Sequence, residues 1–376
     1  MAEPKKEPTT YIITLKKGVD KDAHFGALRP HLFGSDIKFT FKHLDAYSGT
    51  FTEEALGFLG ASSDVKEIEE DTLFPLFDKT VQDQAPWGLN RISQGAPLSS
   101  TDPTRPGEYK YDNNARNTVN VYIIDTGIKV DLGDFEGRAR WGYTFPGLEP
   151  DVDKHGHGTQ VASVIGGASF GVFKNANLIA VKVVDDEGNV SQLRALAGID
   201  FVIEAARLSG GCPSVVNMSW GERQDITSID EHVEKMIECG IHVCAAAGNS
   251  NMDANAVSPA RVASVNTVGA SNISDERCSF SNFGTVVNVF APGENIPVPT
   301  IGGPDPWIFQ SGTSLACAHV TGLVAYFIAL LGDMRPDIMS QYVVDHALHG
   351  VLRDIPAGTP NILINNGYAV LEPEDS

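Results

Sequence analysis

Four short stretches of this 376-residue chain hold side chains able to act on one another chemically. Asp125 closes the apolar run Val121-Tyr122-Ile123-Ile124 and is followed by the turn pair Thr126-Gly127. His157 sits in His155-Gly156-His157-Gly158-Thr159, where a glycine on either side lets the backbone turn tightly ahead of a helix. Asn249 follows the apolar run Ala245-Ala246-Ala247 and Gly248, and Ser314 lies in Ser311-Gly312-Thr313-Ser314-Leu315-Ala316 at the start of a long apolar segment. Taken singly, each has an ordinary reading: Asp125 as a local cap, Ser314 as a helix N-cap, Asn249 as a turn residue. Taken together they are a carboxylate, an imidazole, a hydroxyl and a side-chain amide donor. Serine chemistry needs those parts: a nucleophile, a base that takes its proton, a buried carboxylate that orients the base, and N–H donors for the oxyanion.

The elements that would position them follow from hydrophobic pattern. Short apolar, mostly β-branched runs at 119–124, 178–184, 215–218, 241–246, 264–268 and 286–290 alternate with helical stretches at 159–165, 191–208 and 229–239. Continuous apolar strands separated by helices imply an α/β fold with a doubly wound, mainly parallel sheet covered on both faces. Such sheets collect reacting groups at the carboxyl ends of their strands, where Asp125 and Asn249 stand. The first eighty residues differ. Strand-like runs at 11–15, 37–41, 47–51 and 65–69, with helices at 22–32 and 52–59, give the β-α-β-β-α-β order of a small α+β ferredoxin-like domain, closed by a further run at 73–76. The expected division is 10–78 for that domain, 79–86 for a linker and 87–370 for the larger domain.

In order and in wording, Ile124-Asp125-Thr126-Gly127, Gly156-His157-Gly158-Thr159, Ala247-Gly248-Asn249 and Gly312-Thr313-Ser314-Leu315-Ala316 resemble the subtilisin-like serine proteases, and within them the proteinase K branch. The order Asp, His, Ser along the chain is that of subtilisin itself. The likeness runs over 87–368, and 11–76 resembles the family's inhibitory, folding-assisting propeptide. It implies a subtilisin-like fold and a serine endopeptidase made as a zymogen, with Asp125, His157 and Ser314 as catalytic residues and Asn249 beside the oxyanion. It also implies that Gly188, within Glu187-Gly188-Asn189, and Ser219-Trp220-Gly221 bind an extended peptide as an added strand, with an apolar or aromatic residue before the cut bond. Residues 79–86 would then hold the maturation region, and the partners would be protein or peptide substrates and the chain's own propeptide as intramolecular inhibitor of a monomer.

The chain departs from the family's habits at several positions. Gln160 stands where a second histidine is common, and Ala318 where a proline is common. The branch's calcium site would use carbonyls near Ala263 and Val265 with a carboxylate where this chain has Asn288, and an uncharged amide is a weaker calcium ligand. No cofactor is therefore expected to be required, and calcium stays open only as a structural ion. The family's disulfide positions hold a cysteine at Cys212 alone, with Asn120, Asn266 and Ser340 at the others, so no family disulfide is expected.

Composition narrows the rest. With 28 Lys plus Arg against 48 Asp plus Glu, the net charge of −20 repels phosphate backbones and anionic lipid, arguing against nucleic-acid and membrane partners. The apolar segment 308–332 is strongly apolar only from His319 to Leu331 and reads as a buried core helix. The start Met-Ala-Glu-Pro-Lys-Lys-Glu has no apolar run of a secretory signal, and five cysteines without paired spacing read as buried free thiols. As written the chain reads as intracellular, whereas the family is commonly extracellular or vacuolar. The triplets at Asn189, Asn217 and Asn272 match a glycosylation pattern that arises often by chance.

Three rivals remain at this stage. A metal hydrolase would use Asp151, Asp153, His155 and His157. A nucleotide-binding fold fails on its own motif, because Asp125-Thr126-Gly127-Ile128 is not a phosphate-cradling glycine loop. A latent precursor or inhibitor would keep its N-terminal domain uncut.

Overall fold

The computed structural model describes residues 9–42, 44–71, 79–115, 117–221, 226–302 and 306–368. The chain forms two compact units, residues 1–76 and 77–376.

In the first unit the described elements run β1 (Thr10–Leu15), α1 (Lys21–Leu28), β2 (Asp36–Thr40), β3 (Ala46–Thr50), α2 (Glu53–Ala61) and β4 (Val65–Glu70). All pairings are antiparallel and the strand order is β2-β3-β1-β4, the split β-α-β plan expected from the pattern. Asp20 caps α1 by accepting from the Asp22 and Ala23 N–H groups, and Thr52 caps α2 at Ala55 N–H. Alternation along β1 sends Ile13 and Leu15 into a core with Leu28, Tyr47 and Leu59, while Ile12 stays partly exposed on the opposite face. Phe39 lies on that same open face, paired with Ser48, which in turn pairs with Ile12. The run expected at 73–76 lies outside the described residues.

The second unit holds β5 (Lys79–Ala85), α3 (Trp87–Ile92), β6 (Gly107–Asp112), β7 (Asn120–Asp125), β8 (Ala139–Thr144), α4 (His157–Gly166), β9 (Asn177–Lys182), α5 (Gln192–Arg207), β10 (Ser214–Met218), α6 (Thr227–Glu238), β11 (His242–Ala246), β12 (Asn266–Ser271), β13 (Val289–Pro292), β14 (Ile296–Pro299), β15 (Trp307–Gln310), α7 (Thr313–Leu331), α8 (Pro336–Asp345), β16 (Leu348–His349) and β17 (Ile362–Leu363). Its main sheet has the order β16-β17-β13-β12-β11-β10-β7-β9-β8, parallel except for the β16–β17 pair. Strand order reverses at β7, so the carboxyl end of β7 is the switch point of a doubly wound sheet.

All six residues of β7 are buried, and their period of two divides them between two cores. Val121 and Ile123 face the core built with α4 and α7, and Tyr122 and Ile124 face the one built with α5 and α6. The apolar helix α7 begins at Thr313, six residues before the strongly apolar stretch seen in the sequence, and is almost wholly buried. By length and composition it could cross a membrane, yet 83% of its most apolar window is packed inside the protein, where a core helix belongs.

Three expectations are corrected. Residues 79–85, read as linker, form strand β5 paired with β6 in register from Lys79↔Asp112 to Ala85↔Gly107; polar composition hid a two-stranded ribbon. Strand β8 was not expected, because Ala-Arg-Trp-Gly-Tyr-Thr lacks an apolar run; it is the sheet's edge and is only partly buried. The five cysteines are free, but only Cys244, Cys278 and Cys317 are buried, with Cys212 half-buried and Cys239 exposed.

The short helix α3 is held by one buried ion pair. Arg91, 1% exposed, sends Nε and Nη2 to the two carboxylate oxygens of Asp275 at 2.7 and 3.0 Å. Removing one partner leaves a buried charge uncompensated, so Arg91→Met in a Ser314→Ala background is expected to lower unfolding free energy by about 3–5 kcal/mol. Chemical denaturation at neutral pH measures this, and an unchanged midpoint would contradict it.

Candidate active site

The centre of the site is a contact between the end of one strand and the start of one helix. Asp125, 1% exposed, ends β7, and His157 opens α4. His157 Nδ1–H donates to the carboxylate, 2.8 Å from Oδ1 and 2.9 Å from Oδ2, while the Thr126 N–H donates to Oδ1 at 2.7 Å. Two glycines permit the approach. Gly156 has φ of +92°, the left-handed region, and a Cβ on Gly158 would lie 2.2 Å from the Gly127 carbonyl oxygen. The ring is 30% exposed on its outer side. Burial works to lower its pKa, but the Asp125 charge and hydrogen bond, with Asp153 behind, outweigh it and raise the imidazole above its ordinary value.

Asp153 does not join a metal set. Among the described residues no group of three or more His, Cys, Asp or Glu is placed to hold an ion. Its Oδ1 accepts from Thr126 Oγ1 (2.9 Å) and Gly156 N–H (2.8 Å), and its Oδ2 from Thr159 N–H (3.1 Å) and Thr159 Oγ1 (2.5 Å). Asp151 and His155 are exposed, and the His155 ring is centred 6.3 Å from that of His157. At the position where the resemblance places a calcium carboxylate, Asn288 Oδ1 accepts the Thr267 N–H at 2.7 Å, and an uncharged amide engaged in this way is a weaker calcium ligand than a carboxylate.

Ser314 is the second residue of α7, whose first N–H groups have no acceptor within the helix. Its Oγ donates to the Ser219 carbonyl at 3.0 Å, and among the described residues no hydrogen bond joins it to His157. Asn249 is oriented through its amide oxygen, which accepts from Thr313 N–H (2.8 Å) and Thr313 Oγ1 (2.9 Å), leaving the amide N–H groups directed elsewhere. Ser314 and Asn249 line one cavity of about 330 Å³ together with Gly188, Asn189, Val190, Ser219, Trp220, Gly221, Ala246 and Gly248. Among the described residues no charged side chain lines it. A larger cavity, about 540 Å³, is bordered by Asn90, Gln94, Arg105 and Glu108 and shares no residue with this one.

The Subtilase family profile matches residues 116–367, two-thirds of the chain. The chain belongs to the Subtilase family. "Subtilase-type proteinase psp3" of Schizosaccharomyces pombe is 39% identical over 95% of this chain and 82% of its own length. "Alkaline protease 2" of Aspergillus fumigatus is 36% identical over 96% of the chain and 82% of its own length. A crystal structure of a cold-adapted subtilisin-like serine proteinase superposes with a TM-score of 0.67 at 36% identity, covering 75% of this chain and 98% of the other. This subtilase is a serine-type endopeptidase acting on protein or peptide substrates.

Of the sequence candidates, the structure brings Asp125 to His157, and Asn249, Ser314, Gly188, Ser219, Trp220 and Gly221 to one cavity. Trp220 lines the cavity, and its Nε1–H donates to the Ile124 carbonyl at 2.7 Å, tying the lining to the residue before Asp125. Thr126, Thr159 and Thr313 were not singled out, although each adjoins a motif residue. Nor was the fully buried Asn217, whose Nδ2 reaches Thr321 Oγ1 of α7 at 2.9 Å while Oδ1 accepts from Ser219 Oγ at 2.8 Å. That burial also removes Asn217 as a glycosylation acceptor in the folded chain.

A raised imidazole pKa predicts that His157 keeps its proton to a higher pH than an isolated histidine. In the Ser314→Ala chain, nitrogen-15 NMR of the His157 ring is expected to titrate with a midpoint above about 6.5, and Asp125→Asn to move it down. A wild-type midpoint below 6.5 would mean that burial wins over the carboxylate.

Proposed function

We propose that this subtilase cleaves peptide bonds through an acyl-enzyme formed on Ser314. Asp125 and His157 act as orienting carboxylate and general base, and the chain is made as a zymogen whose N-terminal unit is its inhibitor. The paired contact of Asp125 with His157 Nδ1 carries this reading, because it holds the imidazole in the tautomer whose Nε2 is free to accept a proton.

The steps follow from that tautomer. As a substrate carbonyl arrives, the Ser314 hydroxyl leaves the Ser219 carbonyl and passes its proton to His157 Nε2 while Oγ attacks carbon. The carbonyl π electrons become an oxyanion held by the Asn249 amide N–H and the Ser314 backbone N–H. Asp125 stabilises the imidazolium without taking its proton. His157 returns that proton to the leaving amine, and water, activated by the same base, releases the acid product and regenerates Ser314. The cavity lining, which among the described residues carries no charge, supports an apolar or aromatic residue before the cut bond, because a charged side chain there would lose its hydration without a partner. The maturation cut falls ahead of Lys79, since cleavage within 79–85 would require β5 to unpair from β6.

Intact mass tests the zymogen and the nucleophile together: the wild-type chain is expected to lose its N-terminal unit, while Ser314→Ala keeps its full-length mass. If both stay whole even after refolding, self-processing fails as a reading. On the matured enzyme, Asn249→Leu is expected to lower kcat about 100- to 1,000-fold with KM little changed, as removal of one oxyanion donor does elsewhere. A peptide panel varied only before the cut bond should favour Phe and Leu; a preference for Lys or Glu would sink the specificity assignment.

A further inference from the structure

We propose that Asp153 is a positioning residue for the base, a second buried carboxylate that fixes the start of α4 and sustains the basicity of His157. The inference rests on the serine-protease reading above, but its first test does not require activity.

The geometry is a single carboxylate joined to residues around both halves of the Asp125–His157 pair. Asp153 is 5% exposed. On the His157 side it holds Gly156 N–H, one residue before the histidine, and both N–H and hydroxyl of Thr159, two residues after it. On the Asp125 side it holds the Thr126 hydroxyl, and Thr126 Oγ1 in turn accepts the Gly158 N–H at 2.9 Å. Thus the residues flanking His157 and the one following Asp125 hang on one anion. The Thr159 hydroxyl also accepts from Lys129 N–H at 2.9 Å, extending the tie to the loop after β7.

Four accepted hydrogen bonds fill the roughly four lone-pair sites that a carboxylate offers. Among the described residues no lysine or arginine forms an ion pair with Asp153. Lys154, next in sequence, pairs with Glu149 and lies 3.8 Å from Asp186; Lys182 Nζ goes to the Val152 carbonyl and to Asp186. Among the described residues the charged and titratable groups about His157 are Asp125 on β7, Asp153 on the preceding loop and His155 beside the ring, and the two anions both favour the imidazolium.

Asp153→Asn keeps the shape, removes the charge and turns one acceptor into a donor aimed at other donors. In the Ser314→Ala chain, which cannot consume itself, it is expected to move the His157 NMR midpoint down. In the active chain it should move the acid limb of kcat/KM down alongside and lower kcat about tenfold or more with KM nearly constant. Thr126→Val separates position from charge: it cuts the bridge to Gly158 while Asp153 keeps its charge, so kcat should fall and the acid limb stay. An unmoved His157 midpoint in folded Asp153→Asn overturns the proposal. If Asp153→Asn does not fold, wild-type kcat in Thr126→Val overturns it instead. Hydrolysis that survives Ser314→Ala would reject the serine-protease reading, and the NMR titration would still judge Asp153.

Discussion

Everything at this site depends on bringing a buried carboxylate within 2.8 Å of an imidazole that begins a helix. A carboxylate buried in a sheet must find donors or lose its charge. Asp125 finds two on its own side of the sheet, the Thr126 N–H and His157 Nδ1. The second is available only because Gly156 turns left-handed and Gly158 has no Cβ to strike the Gly127 carbonyl. The glycines around the histidine are thus part of the electrostatics as well as of the turn.

The fold makes that contact possible through where β7 ends. Its neighbours β9 and β10 lie on opposite sides, and the connections leaving the strand ends diverge there, opening space above Asp125. The same end of the sheet receives Ser219 after β10 and Gly248 and Asn249 after β11, so the cavity walls and the amide donor are products of strand order. Helix α7 supplies the remaining part. Burying nearly its whole surface fixes its axis, and with it the outward N–H groups and Ser314 at its first turn. Asn217 ties the two together by bonding α7 and Ser219 from the middle of β10.

Much of this was legible in sequence for a physical reason. Six of the strands are buried on both faces and had to be apolar, so 119–124, 215–218 and 241–246 appeared within a residue or two of β7, β10 and β11. The candidate residues were legible because their motifs combine special backbone with special chemistry, as at Gly156-His157-Gly158. What escaped was structure whose stabilising partners are remote. β5 is polar and gains its strand pairing from β6, more than twenty residues away in sequence. β8, at an edge, needs apolar residues on less of its surface. Asp153 was visible as a carboxylate near histidines, which fits a ligand set as well as a structural anchor; only its four hydrogen-bond donors decide between them.

The resting position of Ser314 is consistent with this division of labour. Its hydroxyl proton lies on the Ser219 carbonyl, an acceptor that can share a proton but not remove it, so Ser314 at rest is an ordinary neutral alcohol. The proposed mechanism needs a group able to take the proton outright, and gives that part to the imidazole paired with Asp125. A base raised above its ordinary pKa accepts that proton more readily, but more of it is already protonated in acid. The carboxylates that orient His157 therefore set both the driving force for the proton transfer and the pH below which it fails. On the proposed mechanism the strength of the nucleophile is set at the end of β7 and the loop before α4, not at the serine itself.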